Sequence, residues 1–117
     1  MPSFLLVLLA GPETETGRAR EAIATAHALL ASGMAEKVEL LLSGAGVDWL
    51  ARLAAGAEEA APLRSAQEAG VVLKACTRAA SERGVIDTFD ALPEVIAAGA
   101  PTLIASRASA GWTLLTF

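Results

Sequence analysis

The chain has 117 residues, a formal net charge of −4 and an apolar content above half, which suits one domain around one hydrophobic core. That composition excludes disorder, and an acidic surface this small works against binding nucleic-acid phosphates. The single cysteine excludes an internal disulfide and fits a reducing compartment.

The first predicted element is a strand over Ser3–Ala10, apolar on both faces as a buried parallel strand must be. Phe4–Ala10 and Leu40–Leu42 are far too short to span a bilayer. Phe4–Ala10 has the look of a signal-peptide core, but no Lys or Arg precedes it, so a cytoplasmic protein is expected. Gly11-Pro12 ends the strand, Glu13–Thr16 follows as a polar loop, and Thr16 is a candidate helix cap. Helical spacing over Arg18–Ser32 puts Ala19, Ala22, Ile23, Ala26, Leu30 and Met34 on one face, with Gly33 as the stop. Lys37–Ser43 is the second strand, broken by Gly44-Ala45-Gly46. A short helix over Val47–Ala55 is anchored by Trp49, Leu50 and Leu53, and Pro62 starts another at Leu63–Ala69 that Gly70 stops.

Val71–Ala75 is the third strand, and Thr77–Arg83 a helical turn ended by Gly84. Val85–Leu92 reads as loop or helix. Glu94–Ala98 reads as a short fourth strand, Pro101–Ala108 as a helix with Pro101 in its first turn, and Trp112–Phe117 as the last strand. Strands alternating with helices imply right-handed βαβ units. The expected fold is therefore a three-layer α/β/α domain with a five-stranded, mostly parallel, doubly wound sheet of order 2-1-3-4-5. Function in such sheets gathers at the carboxyl ends of the strands, where Gly11-Pro12, Gly44–Gly46 and Cys76 fall.

Cys76 is the leading candidate for chemistry. The thiolate is the reactive form, and a helix N-terminus favours the anion. Lys74, Arg78 and Arg83 add positive charge if their side chains turn toward it. Against this, free cysteine is among the most often buried residue types. His27, the only histidine, falls on the flank of its helix with no second histidine for a metal pair. Ser43-Gly44-Ala45-Gly46 has the glycines of a phosphate cradle but lacks the spacing of a dinucleotide or P-loop motif, and tight turning out of a strand accounts for it. Glu13, Glu15, Asp48, Asp87 and Asp90 are scattered acids without His or Cys partners. Trp49, Trp112 and Phe117 read as packing or subunit-contact residues.

Cys76-Thr-Arg-Ala-Ala-Ser-Glu-Arg-Gly-Val-Ile-Asp87 resembles the cysteine segment of the DsrE/TusD-like sulfur-relay family, through Cys76, Ala79 and the Arg83-Gly84-Val85-x-Asp87 end. Leu8–Pro12, Ala22–Gly33, Leu41–Val47 and the C-terminal strand closing on Phe117 are similar to the family as well. The segment after Asp87 is shorter here, and Gly111-Trp112 stands where TusD-type chains have Asp-Arg.

The resemblance implies the YchN-like α/β/α fold. It further implies a homo-oligomer (trimer or hexamer) or a hetero-hexamer with related chains, and sulfur donor and acceptor proteins as partners. Cys76 would carry sulfane sulfur as a persulfide, a sulfurtransferase role without a cofactor, metal, direct nucleic-acid contact or membrane. Thr77, Arg78, Arg83, Gly84, Gly11 and Gly44 would bind or shape the site. A lone cysteine suits a carrier better than a disulfide reductase, since no resolving thiol is present. Two rivals stand beside it: a non-catalytic oligomeric binding or scaffold module with Cys76 as a buried hydrophobe, and a small-molecule binder at Gly44–Gly46.

Overall fold

A computed structural model describes residues 1–117. In chain order the elements are β1 (Ser3–Leu8), α1 (Thr16–Ala31), β2 (Lys37–Leu42), a 3₁₀ turn (Gly44–Asp48) running into α2 (Trp49–Ala54), a 3₁₀ turn (Glu58–Ala60) and α3 (Ala61–Glu68). Then follow β3 (Val72–Cys76), α4 (Thr77–Glu82), a 3₁₀ turn (Ile86–Ala91), β4 (Ile96–Ala98), α5 (Ala100–Ser109) and β5 (Thr113–Thr116). Gly33, Gly70 and Gly84 all have positive φ just past helix ends, where a side chain would be strained.

The five strands form one sheet in which every pairing is parallel. The α/β class and the helices on both faces are as expected. The strands run β4-β3-β2-β1-β5, whereas the expected order put β1 between β2 and β3. Here β3 pairs outside β2, and β5 takes the free side of β1. The reason lies in β2. Val38–Leu42 is buried throughout, and a strand buried on both faces belongs inside a parallel sheet, whereas the expected order left it at an edge. The partly exposed β4 and β5 take the edges instead.

This order distributes the helices unevenly. Three crossovers step the same way from β1 to β4, and right-handed connections put their helices, α1 to α4, on one face. The fourth returns past three strands to β5, which leaves α5 alone on the other face. α1 lies close to the sheet through Ala19, Ala22, Ile23 and Ala26. α5 buries only Ala100 and Leu103, and Val72 and Ile96 on its face stay exposed at 37% and 48%.

Two local details differ from the sequence reading. Thr16 is the first helical residue and no cap; its hydroxyl donates to the Pro12 carbonyl at 2.9 Å. Met34 lies beyond α1 and is exposed. No helix is long and apolar enough to cross a membrane.

Candidate functional site

The uneven winding locates a crevice. Adjacent strands whose onward connections leave to opposite faces open a gap between them at their carboxyl ends. β3 continues into α4 on one face and β4 into α5 on the other, so the gap falls between β3 and β4. Cys76, the last residue of β3, pairs there with Ala98 of β4. Strand alternation turns its side chain to the face of Val72 and Lys74, the face that α5 covers.

Cys76 is 3% exposed and its thiol is free. Burial pushes the thiol up. Hydrogen bonding from the backbone N–H groups of Ala79, Ala100 and Arg78, and from the Ser43 hydroxyl, outweighs burial and holds the thiol below its ordinary value. The donors come from three elements: the first turn of α4, the first residue of α5, and the end of β2. Half-buried Ser43 and exposed Gly44, Thr77 and Gly99 follow the carboxyl ends of β2, β3 and β4. The arrangement stabilises an anion on sulfur with neutral donors.

The basic residues expected near the thiol are engaged elsewhere. Lys74 Nζ lies 2.9 Å from Glu39 Oε2, Arg83 pairs with Asp48, and Arg78 reaches toward Glu82 at 3.7 Å. Thr77 opens α4, and Gly84 follows its end with positive φ.

The glycines at the neighbouring strand ends serve packing. A Cβ on Gly46 would lie 2.0 Å from the Leu8 carbonyl oxygen, and one on Gly11 would lie 2.8 Å from the Ala45 carbonyl oxygen. Gly44 has φ +51°. The loops after β1 and β2 are thus pressed together, and the buried Trp49 Nε1 donates to the Ala10 carbonyl at 3.1 Å across them. The segment turns the chain tightly, as expected.

His27 lies in the second half of α1, which runs back toward the amino ends of the parallel strands β1 and β2 that it connects. Glu13 and Asp48 are paired with Arg52 and Arg83, and no three His, Cys, Asp or Glu side chains gather as a metal site requires.

Sequence reasoning missed Ser43, Ala100 and Glu39. Ala100 acts through its backbone, which leaves no side-chain signal. Glu39 did leave one: a lone acid inside an apolar strand.

A model of the DsrE/DsrF-like family matches residues 3–117. The chain belongs to the DsrE/DsrF-like family. Among solved structures it is similar to MTH1491 from Methanobacterium thermoautotrophicum, with a TM-score of 0.80 and 20% identity over 100% of both chains. It is also similar to BT1422 from Bacteroides thetaiotaomicron, with a TM-score of 0.74 and 15% identity over 97% of this chain and 94% of that one. Both are described as proteins of unknown function, and at such identities the likeness shows the DsrE-like fold alone. No curated protein matches the chain.

Proposed function

We propose that the protein is a sulfur-relay carrier of the DsrE-like type that holds sulfane sulfur as a persulfide on Cys76. The observation that carries the reading is a free thiol at the β3–β4 crevice, on the residue that precedes α4 and pairs with Ala98 just before α5; hydrogen bonding from neighbouring N–H groups and the Ser43 hydroxyl holds that thiol below its ordinary value. Membership of a family associated with sulfur relay supports it.

The exchange balances without any redox partner. The Cys76 thiolate attacks the terminal sulfur of a donor persulfide, so an S–S bond to Sγ forms as the donor's S–S bond breaks. The donor leaves as a thiolate. An acceptor thiolate then attacks the outer sulfur and Cys76 is released as thiolate again. Sγ itself is nearly buried, and the carried sulfur would stand about 2.05 Å beyond it. The donors that favour the thiolate also make Cys76 the better leaving group in the second step.

A reducing cytoplasm is the setting proposed for this chemistry. Donor and acceptor proteins are its proposed partners, and a homo-oligomer its proposed form. The exposed Val72 and Ile96 on the thinly covered sheet face are consistent with a subunit contact.

Intact-mass spectrometry after incubation with a persulfide donor, beside a Cys76→Ser variant, tests the reading. One added sulfur atom that reductant removes, and that the variant lacks, is the expected result. The 3% exposure of Cys76 favours a rival in which the thiol is only a core residue of a scaffold module. Absence of an adduct, with a thiol inert to alkylation until the protein unfolds, would establish that rival.

A further inference from the structure

Glu39 is the only charged residue among the buried ones, 6% exposed in the middle of β2. Arg107, near the end of α5, donates to it through Nε and Nη2, each at 2.8 Å. Lys74 of β3 adds a contact at 2.9 Å. The Arg107 guanidinium also stacks on Trp112, 4.7 Å from the ring centroid. These groups join β2, β3, α5 and the residue that precedes β5.

A buried ion pair adds little net stability compared with well-packed apolar residues, and its best-attested use is to fix a register. α5 is the element in need of one. It lies alone on its face and buries only Ala100 and Leu103, with Ile104 partly buried against the core; all three fall in its first half, and its second half has no buried apolar anchor. Arg107 is seven residues from Ala100, about two turns or 10 Å along the axis. A planar fork gripping both carboxylate oxygens restrains translation and rotation together.

We propose that Glu39 and Arg107 are positioning residues for Cys76: their ion pair fixes α5 on the sheet so that the Ala100 N–H stays aimed at Sγ. The inference rests on Cys76 being the working thiol. Neither residue touches the sulfur. No charged side chain competes for that role, since Lys74 of β3 and Arg78 of α4 turn to Glu39 and Glu82. Asp48 of the turn after β2 is held by Arg83, and Ser43 is neutral.

The test is the rate of Cys76 alkylation by iodoacetamide across pH in the full chain. It compares wild type, the charge-balanced double variant Glu39→Gln with Arg107→Gln, and Arg107→Lys, with thermal melts to confirm folding. In the double variant the profile should move to higher pH. A tenfold fall in thiolate fraction leaves a net loss of about threefold in rate at neutral pH, because the more basic thiolate is the better nucleophile. At alkaline pH the variant should be the faster one. Arg107→Lys keeps the charge but loses the fork, and should shift less in the same sense.

A pair that merely held α5 closed would, when removed, speed alkylation at every pH without moving the midpoint, and that outcome overturns the proposal. If the double variant fails to fold, an unshifted midpoint in Arg107→Lys overturns it as well. Persulfide loading of wild type is scored separately. A shifted profile without loading sinks the carrier reading and keeps the positioning role; loading with an unshifted profile does the reverse.

Discussion

Arg83 at the end of α4 grips Asp48 with two parallel hydrogen bonds, from Nε to Oδ1 at 2.9 Å and from Nη2 to Oδ2 at 2.7 Å. The pair spans the candidate site from outside. One partner closes the helix that supplies the Arg78 and Ala79 N–H groups, and the other lies in the turn that follows Ser43. Arg83 thus holds together two of the three elements around the thiol without approaching it.

Asp48→Asn should lower the melting temperature slightly, and the difference should shrink in high salt, because both side chains are partly exposed and screened. Melts at low and high ionic strength check this. An equal deficit at both would mean that lost hydrogen-bond geometry, and not charge, is responsible.

Ser43→Ala removes the one side-chain donor to the thiol. The alkylation profile of Cys76 should move to higher pH while the fold is kept. The sign of the stability effect follows from linkage. Cys76 is held below its ordinary value in the fold, so the native state sheds the thiol proton first. Stability relative to Cys76→Ala should therefore rise as pH climbs through the folded value toward the ordinary one, about 8.5, and level off above it. Urea unfolding across that range measures it.

Gly46→Ala should cripple folding. The added Cβ meets the Leu8 carbonyl oxygen at 2.0 Å, which is backbone of a central strand and cannot turn aside. A cost above about 3 kcal/mol is expected, more than ordinary overpacking. A soluble variant with an unchanged urea midpoint would contradict the close approach of the two loops.

Glu39 carries an acid-sensitive share of stability. Burial raises its carboxyl pKa, but the hydrogen bonds from Arg107 and Lys74 and their charges outweigh that and hold it below 4.5. A depressed carboxylate contributes above its unfolded value and loses the contribution as pH falls through the folded value. Wild type should therefore exceed Glu39→Gln in stability at neutral pH and converge toward it below pH 4.5. The neutral-pH gap should lie under the ~3–5 kcal/mol of a fully buried broken pair, since Arg107 is 25% exposed and can reach water. Urea unfolding of both proteins at several acidic pH values decides it.

Most elements were legible because their causes are local. β1 and β2 are apolar on both faces, α1 carries small residues at helical spacing, and Gly33, Gly70 and Gly84 mark the turns. The strand-to-helix junction at Cys76 was visible for the same reason. Strand order was not, because it depends on which strands can tolerate an edge; the full burial of Val38–Leu42 was the available clue. The partners of Lys74 and Arg83 were also hidden. Sequence adjacency suggested the thiol, while the fold brings Glu39 and Asp48 nearer. The Ala100 contribution is a backbone group brought in by topology, and only Pro101 hinted that a helix begins there.

β1 has β5 beside it as a permanent neighbour: Phe4 pairs with Thr113, and the Phe117 N–H donates to the Val7 carbonyl at 2.8 Å. The first strand of the domain to be synthesised therefore waits for the last. Until then one long edge of β1 is open to other chains, and the domain depends on a contact spanning nearly its whole length, the kind that slows folding most. α5 is made just before β5 and should dock late with it. Cys76 would then lack the Ala100 N–H until the sheet closes, so a nascent or partly folded chain should hold a thiol with one donor fewer.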